Sequence, residues 1–199
     1  MENKINDAIK AYDIIAGVYA DYNFPKLLQF QLNKFISLLL GKKILDAGCG
    51  PGRDLMYFKE EGLEVSGIDT SKGMIRECKR RTGIMPSLID MRKTDFTDSN
   101  FNGIWCMASF SDIPKEDSLK VVNEFHRILK RGGILYIAVK EGNGVEVVKK
   151  KKYNDMPRIY VYYNQKELEE LLKKKFFILN SSVADDEGTS WVEIFAKKI

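Results

Sequence analysis

The chain opens on apolar residues spaced by three and four. Ile5, Ala8, Ile9, Tyr12, Ile15, Ala16 and Tyr19 fall on one face of a helix running from Asn3 to about Asp21. A second helix is predicted behind Pro25, a residue suited to a first helical turn, through Leu28, Leu32, Phe35, Ile36 and Leu39 as far as Gly41. The pattern then shortens into runs stopped by glycine and turn residues. Lys42–Ala47 reads as a strand, Arg53 to Glu61 as a helix ended by Gly62, Leu63 to Asp69 as a second strand, and Ser71 as the cap of a helix holding Met74, Ile75 and Cys78. A weaker third strand, Ser87 to Asp90, and a clear fourth, Phe101 to Ala108, follow. The helix Lys115–Lys130 is expected to bury Leu119, Val122, Phe125 and Leu129, and Gly132-Gly133 lead into the strand Ile134–Val139. Strands alternating with helices predict a parallel, doubly wound α/β sheet.

The last third reads differently. Ile159 to Tyr163 is short and extended, and Asn164 with Glu167 resembles a capping box for a helix reaching about Lys175. Phe176–Val183 and Trp191–Lys197, joined across Asp185-Asp186-Glu187-Gly188, predict an antiparallel hairpin at the end of the sheet. The run Lys149–Lys152 is read as a solvated face.

Composition bounds the chemistry. A length of 199 residues with 44% apolar content suits one domain with one sizeable core. Its parts would be N-terminal packing helices over 1–40, a ligand-binding core over 42–140 and a C-terminal segment with the hairpin over 141–199. The 32 basic and 28 acidic residues leave a net charge of +4, which neither demands nor excludes nucleic acid. Cys49, Cys78 and Cys106 are widely spaced and have only His126 to assist them, so a reduced, cytoplasmic, metal-free protein is expected. Core or structural roles suit all three thiols, and His126 and Cys78 fall late in their helices, away from the ligand edge of the sheet. No apolar run is long enough to span a bilayer, and the first ten residues lack the core of a signal peptide.

The stretch Asp46-Ala47-Gly48-Cys49-Gly50-Pro51-Gly52-Arg53-Asp54 joins a strand end, a glycine turn and a helix start. Such glycines let backbone approach a ligand closely. A dinucleotide fingerprint would want a third small residue where Arg53 stands, and the lysine and hydroxyl of a phosphate loop are missing, so a nucleoside without phosphates is the expected ligand. Asp69, about twenty residues on, is placed to accept hydrogen bonds from both hydroxyls of a ribose. Met91 would cover the base while Asp90, or backbone beside it, takes an exocyclic amine, and the other end of the nucleoside would face Asp46.

Together, the Asp-x-Gly-x-Gly-x-Gly turn, Asp69, Asp90-Met91 and Leu129-Lys130-Arg131-Gly132-Gly133 resemble the class I S-adenosylmethionine-dependent methyltransferases over about Lys42 to Lys140. Further stretches, including Ala108 to Pro114 and Arg158 to Leu172, look like the small stand-alone methyltransferase-domain proteins. The resemblance implies a Rossmann-like, mostly parallel seven-stranded sheet of order 3-2-1-4-5-7-6 with the last strand antiparallel, N-terminal lid helices, S-adenosyl-L-methionine as donor and S-adenosyl-L-homocysteine as product. It implies a donor site formed by Asp46, Gly48, Cys49, Gly50, Gly52, Arg53, Asp69, Thr70, Met74, Asp90, Met91 and Ser109. The sequence departs from that group in carrying Asp112 where histidine is usual and Arg131 where proline is.

A methyl carbon on a sulfonium is already electrophilic, so in-line positioning supplies much of the catalysis, about 7–11 kcal/mol in well-oriented systems. A hydroxyl acceptor also benefits from a base, for which Asp112 is the candidate; a turn or helix-capping role before Pro114 is its alternative. Tyr12 and Tyr19 suit either a lid over the donor or the core. Tyr160, Tyr162 and Tyr163 suit either an acceptor pocket or packing on the sheet. A small-molecule acceptor handled by a monomer or homodimer is the leading expectation. RNA or protein methylation and non-catalytic donor sensing stay open beside it.

Overall fold

The computed structural model describes residues 2–186 and 188–199, with side chains from Asn6 to Asp185 and from Gly188 to the end. The expected burial of Ile5 and the Asp186-Glu187 part of the hairpin turn lie outside the described side chains. Six helices are described: α1 (Glu2–Asn23), α2 (Gln29–Leu38), α3 (Arg53–Glu60), α4 (Lys72–Thr82), α5 (Lys115–Ile128) and α6 (Gln165–Leu172). The strands are β1 (Lys43–Ala47), β2 (Glu64–Asp69), β3 (Ser87–Leu88), β4 (Phe101–Met107), β5 (Leu129–Lys140), β6 (Val145–Val148), β7 (Arg158–Val161), β8 (Phe177–Asp186) and β9 (Thr189–Lys197).

Seven strands form one sheet in the order β3-β2-β1-β4-β5-β9-β8. The first five run parallel, and β9 is antiparallel to both neighbours. This is the expected topology with one addition: β6 and β7 pair antiparallel as a separate ribbon between β5 and α6. The sequence pattern gave no strand at β6, because Val145 and Val147 are about half exposed and glycines at 142 and 144 interrupt the run.

Period-two alternation splits the sheet's residues between two layers. Leu45, Ile104, Cys106, Leu135, Ile137 and Val139 face the layer of α5 and α6. Ile44, Trp105, Tyr136 and Ala138 face α2 and α3. In that second layer Trp105 stacks on Tyr136 with ring centres 4.0 Å apart, and Phe35 and Phe58 meet its edge. Its indole nitrogen donates to Asp54 at 2.8 Å, satisfying a buried polar group at the start of α3.

Two boundaries and one burial differ from the sequence reading in ways that bear on the packing. Helix α2 starts at Gln29, because Pro25 sits in the turn between helices, where Lys26 N–H donates to Asn23 and Leu27 N–H to Pro25. Helix α5 stops at Ile128, since Leu129 already pairs with Phe101. Leu119 lies at the rim of the buried stripe of α5 and stays 39% exposed, against expectation. The caps at Ser71 and Asn164 form as expected, their side chains accepting from Met74 and Glu167 N–H. Among the described residues no helix is long and apolar enough to cross a membrane.

Helix α1 lies across the ligand edge of the sheet and packs on α4 and β7. Its buried positions, Ala8, Ala11, Ile15, Ala16 and Ala20, are mostly small, which allows close approach. At Gly73 a Cβ would sit 2.5 Å from the Asp13 carbonyl oxygen. The Asp13 carboxylate accepts from Ser71 Oγ at 2.7 Å and Gly73 N–H at 2.8 Å, placing a negative charge on the N-terminus of α4.

Candidate active site

Two cavities, of about 380 and 110 Å³, lie side by side at the carboxyl ends of the parallel strands and share a wall of Tyr12, Tyr19, Gly48, Gly50, Met107 and Ala108. Open α/β sheets hold ligands at this edge, and the larger space is within the range of small-molecule sites. Of the residues singled out from sequence, Asp69, Thr70, Met74, Asp90, Met91, Ser109 and Asp112 line the smaller lobe, while Asp46, Cys49, Arg53 and Tyr160 line the larger.

The wall is built from backbone in unusual conformations. Gly48 has φ +78°, and a Cβ there would fall 2.2 Å from the Ser109 Cβ. That closeness lets Ser109 Oγ donate to the Ala47 carbonyl, tying the tips of β1 and β4. Ala108 takes φ +62° without being glycine, which costs about 1–2 kcal/mol and is typical of functional loops.

Asp69 joins the tip of β2 to the glycine turn. One oxygen accepts from Gly50 N–H at 2.9 Å and the other from Ser71 N–H at 2.8 Å. Burial raises its pKa, and the Ser71, Gly50 and Thr70 amides oppose that rise. The Asp46 carboxyl is also driven well up, by burial and then by the nearby Asp54 charge. Asp54 is in turn held by both Nε and Nη2 of Arg53, at 2.6 and 2.9 Å. The Asp90 carboxylate is gripped by Arg92 of its own loop, which also reaches Asp117.

Asp112 stands in a short 3-10 turn, Phe110–Asp112, between the fourth strand and α5. It caps no helix, since α5 begins without a side-chain cap. Its carboxyl is pushed up to about 8 by burial and by Asp69; the Arg158 charge, a hydrogen bond from Tyr12 and the Lys140 charge pull it down. Its Oδ1 is buried without a hydrogen-bond partner among the described residues.

Tyr12 and Tyr19 meet edge to face at 5.8 Å, and Tyr19 continues to Tyr153 at 5.6 Å. Both phenols are raised by burial, Tyr19 to about 12, so they serve as neutral hydrogen-bonding groups at ordinary pH. Three positions singled out from sequence do not line either lobe. Gly52 lies behind the turn, as the left-handed residue before α3, packed on Cys78. Tyr162 points outward to Glu146, and Tyr163 is core, set against Phe110. Cys78, expected far from the site, instead brings its thiol to that of Cys49 beneath the turn. His126 lies in the last turn of α5 against Phe176, at the opposite edge as expected.

The sequence reading missed the basic half of the larger lobe: Lys140, Lys150, Lys152 and Arg158. The lysine run is indeed exposed, yet two of its members also border the cavity. An available signal was Arg158 itself, a charge opening a four-residue strand that is buried throughout.

Comparison with known proteins follows from this geometry. Residues 44–133 match the family model described as a methyltransferase domain. The malonyl-acyl-carrier-protein O-methyltransferase of Salmonella typhimurium is 29% identical over 120 residues, covering 55% of this chain and 44% of that protein. The match covers 44%, 41% and 37% of the length of three such curated relatives and 58% of a fourth. A SAM-dependent methyltransferase from Methanosarcina mazei superposes with a TM-score of 0.76 at 21% identity, over 83% of this chain and 97% of the other. The 1,6-didemethyltoxoflavin-N1-methyltransferase of Burkholderia thailandensis, solved with its substrate and S-adenosylhomocysteine, gives 0.75 at 21% identity, over 98% and 86%. At such identities the superpositions establish the fold.

Proposed function

We propose that this chain, which carries a class I S-adenosylmethionine-dependent methyltransferase domain, binds that donor across its two lobes and methylates a small molecule. The observation that carries the reading is Asp69: a buried carboxylate at the tip of β2, steered by Gly50 N–H across a glycine turn. Its remaining lone pairs suit the two ribose hydroxyls. Met74, Ile89, Met91 and Ile113 give the smaller lobe an apolar slot of the kind an adenine ring fills. With Asp90 held by Arg92, the backbone beside it is the better partner for the exocyclic amine. Asp46 and the Gly48 turn face the amino-acid end, where a carboxylate complements an ammonium.

Bound there, S-adenosylmethionine supplies an electrophilic methyl carbon; the carbon–sulfur bond breaks as the acceptor's lone pair takes the methyl, and its electrons stay on sulfur. The chain's own work is to align the acceptor. Tyr12 and Tyr19 roof the junction of the lobes, and Asp112, with its pKa near 8, is matched to take the proton of a hydroxyl or to orient an amine. Acceptors named for the relatives, a malonyl thioester and a toxoflavin precursor, support a small-molecule substrate, as does a larger lobe of about 380 Å³ that the acceptor would share with the donor's amino-acid end.

Calorimetry with S-adenosylhomocysteine tests the reading. Wild type binds, and Asp69→Ala, which removes charge-assisted hydrogen bonds worth about 1.5–3 kcal/mol each, loses affinity by about tenfold or more. Wild type that ignores the thioether but binds NAD or ATP overturns the proposal.

A further inference from the structure

The larger lobe holds cationic groups to which the proposed donor site assigns no role. Arg158 on β7 is 3% exposed, lines the cavity, and has no hydrogen-bond partner for Nε or Nη2 among the described residues. Its guanidinium is held between aromatic faces, 4.3 Å from the ring centre of Tyr153 and 5.2 Å from that of Tyr160. A guanidinium does not shed its proton, so burial without partners is costly unless a ligand completes the site. The two unpartnered atoms form one edge of the fork, the edge that meets both oxygens of an oxyanion with parallel hydrogen bonds.

The surroundings have the same sign. Lys140 Nζ stands 3.7 Å from the centre of the Tyr160 ring, and Lys150 and Lys152 border the same space. Burial and the neighbouring Lys150 and Arg158 charges bring the Lys140 amine down to about 8, with the Glu146 and Asp112 carboxyls opposing the fall. The acidic groups nearby do not neutralise Arg158: Asp54 is taken by Arg53, and Asp112 is held toward its neutral form.

We propose that the methyl acceptor is a small oxyanion, a carboxylate or phosphate ester, anchored by the Nε/Nη2 edge of Arg158 and drawn in by Lys140, Lys150 and Lys152. This rests on the methyltransferase reading, because it takes the smaller lobe and the glycine turn as filled by the donor. The anchored group then sits under the Tyr153 and Tyr160 rings, with the rest of the molecule extending toward Asp112 and the shared wall.

The test uses the full chain saturated with S-adenosylhomocysteine. Benzoate, malonate and inorganic phosphate are compared with benzamide and malonamide by thermal shift and calorimetry. At least one anion is expected to bind while its neutral amide does not, and phosphate alone or carboxylates alone identify which oxyanion the site prefers. Arg158→Gln is expected to weaken that anion by about 100-fold or more, the loss of two charge-assisted hydrogen bonds, and to leave S-adenosylhomocysteine affinity within about threefold. Arg158→Lys keeps the charge, loses the two-point grip and is expected to fall between.

Equal binding of acids and amides, or no response to any anion at millimolar concentration, overturns the inference. So does an Arg158→Gln variant that loses the thioether as steeply as the acid, since Arg158 would then hold the donor's own carboxylate. If that variant does not fold, the acid–amide contrast in wild type and the Arg158→Lys result decide. Failure of wild type to bind S-adenosylhomocysteine strikes the methyltransferase reading instead.

Discussion

Replacing Asp112 by Asn separates a protonated buried acid from an ordinary turn residue. Burial and the Asp69 charge push the Asp112 carboxyl up to about 8, far above the ordinary carboxylate range. An acid whose pKa rises on folding makes the native state bind a proton that the unfolded state releases. Stability therefore falls as pH climbs from about 4 to about 8, and is level beyond. The slope approaches about 1.4 kcal/mol per pH unit, so the part of the shift between pH 4 and 7 is worth about 4 kcal/mol. Because the carboxyl borders an open cavity, screening reduces this to about 2 kcal/mol.

Asn keeps the shape and removes the titration, so the readout is how the difference in melting temperature, Asn variant minus wild type, changes with pH. For a chain of this length it is expected to grow by about 4–8 °C between pH 5 and pH 8, then stop. Of the other groups facing Asp112, Asp69, Arg158 and Tyr12 do not change charge across that window in the opposite sense. Lys140, held down to about 8, alters stability chiefly above that pH, raising it as pH climbs, so its contribution falls mainly beyond the pH 5–8 comparison. A difference that stays constant from pH 5 to 8 refutes the assignment. The same titration bears on catalysis: if Asp112 is the base for transfer, the wild-type rate climbs with pH through about 8 and the Asn variant loses that limb.

Other outcomes follow from particular contacts. Gly48→Ala sets a Cβ 2.2 Å from that of Ser109 at a φ of +78°, so the protein is expected to lose about 2–4 kcal/mol of stability and its donor affinity together; a variant that binds S-adenosylhomocysteine like wild type refutes the account of the wall. Asp13→Ala strips two hydrogen bonds from the N-terminus of α4, and about 1–3 kcal/mol with them. Hydrogen exchange is expected to quicken along α1 and stay slow in β4 and β5; uniform quickening speaks against α1 as a separately docked lid.

The lining of the smaller lobe and the glycine turn was legible because its signals are local. A glycine turn must follow the first strand, and acidic residues at the tips of β1, β2 and after β3 arrive on one edge once the strands are parallel. The order of elements and the closing antiparallel β9 came with the same pattern. What periodicity does not carry was lost: β6, too short and too exposed to alternate, and the end of α5, where the chain passes from helix to strand without a break at Leu129. The Cys49–Cys78 contact was also invisible, since the place of a residue along α4 does not report which loop packs beneath it.

The acceptor half obeys a different logic. Its cations come from three stretches, Lys140 at the end of β5, Lys150 and Lys152 in a loop, and Arg158 in a two-stranded ribbon, and each looks like a solvated charge until folding brings them to one space. Their partners are the aromatic faces of Tyr153 and Tyr160, which no spacing rule connects to them. The glycine-turn wall is set by backbone geometry, and the fold that carries it recurs in structures only 21% identical to this chain. The ribbon and loop side chains lie outside the seven-stranded sheet, so the proposed acceptor contacts are separate from the strands that build the glycine-turn wall. The proposed donor site therefore rests on motifs, and the proposed acceptor site on one buried, unsatisfied arginine.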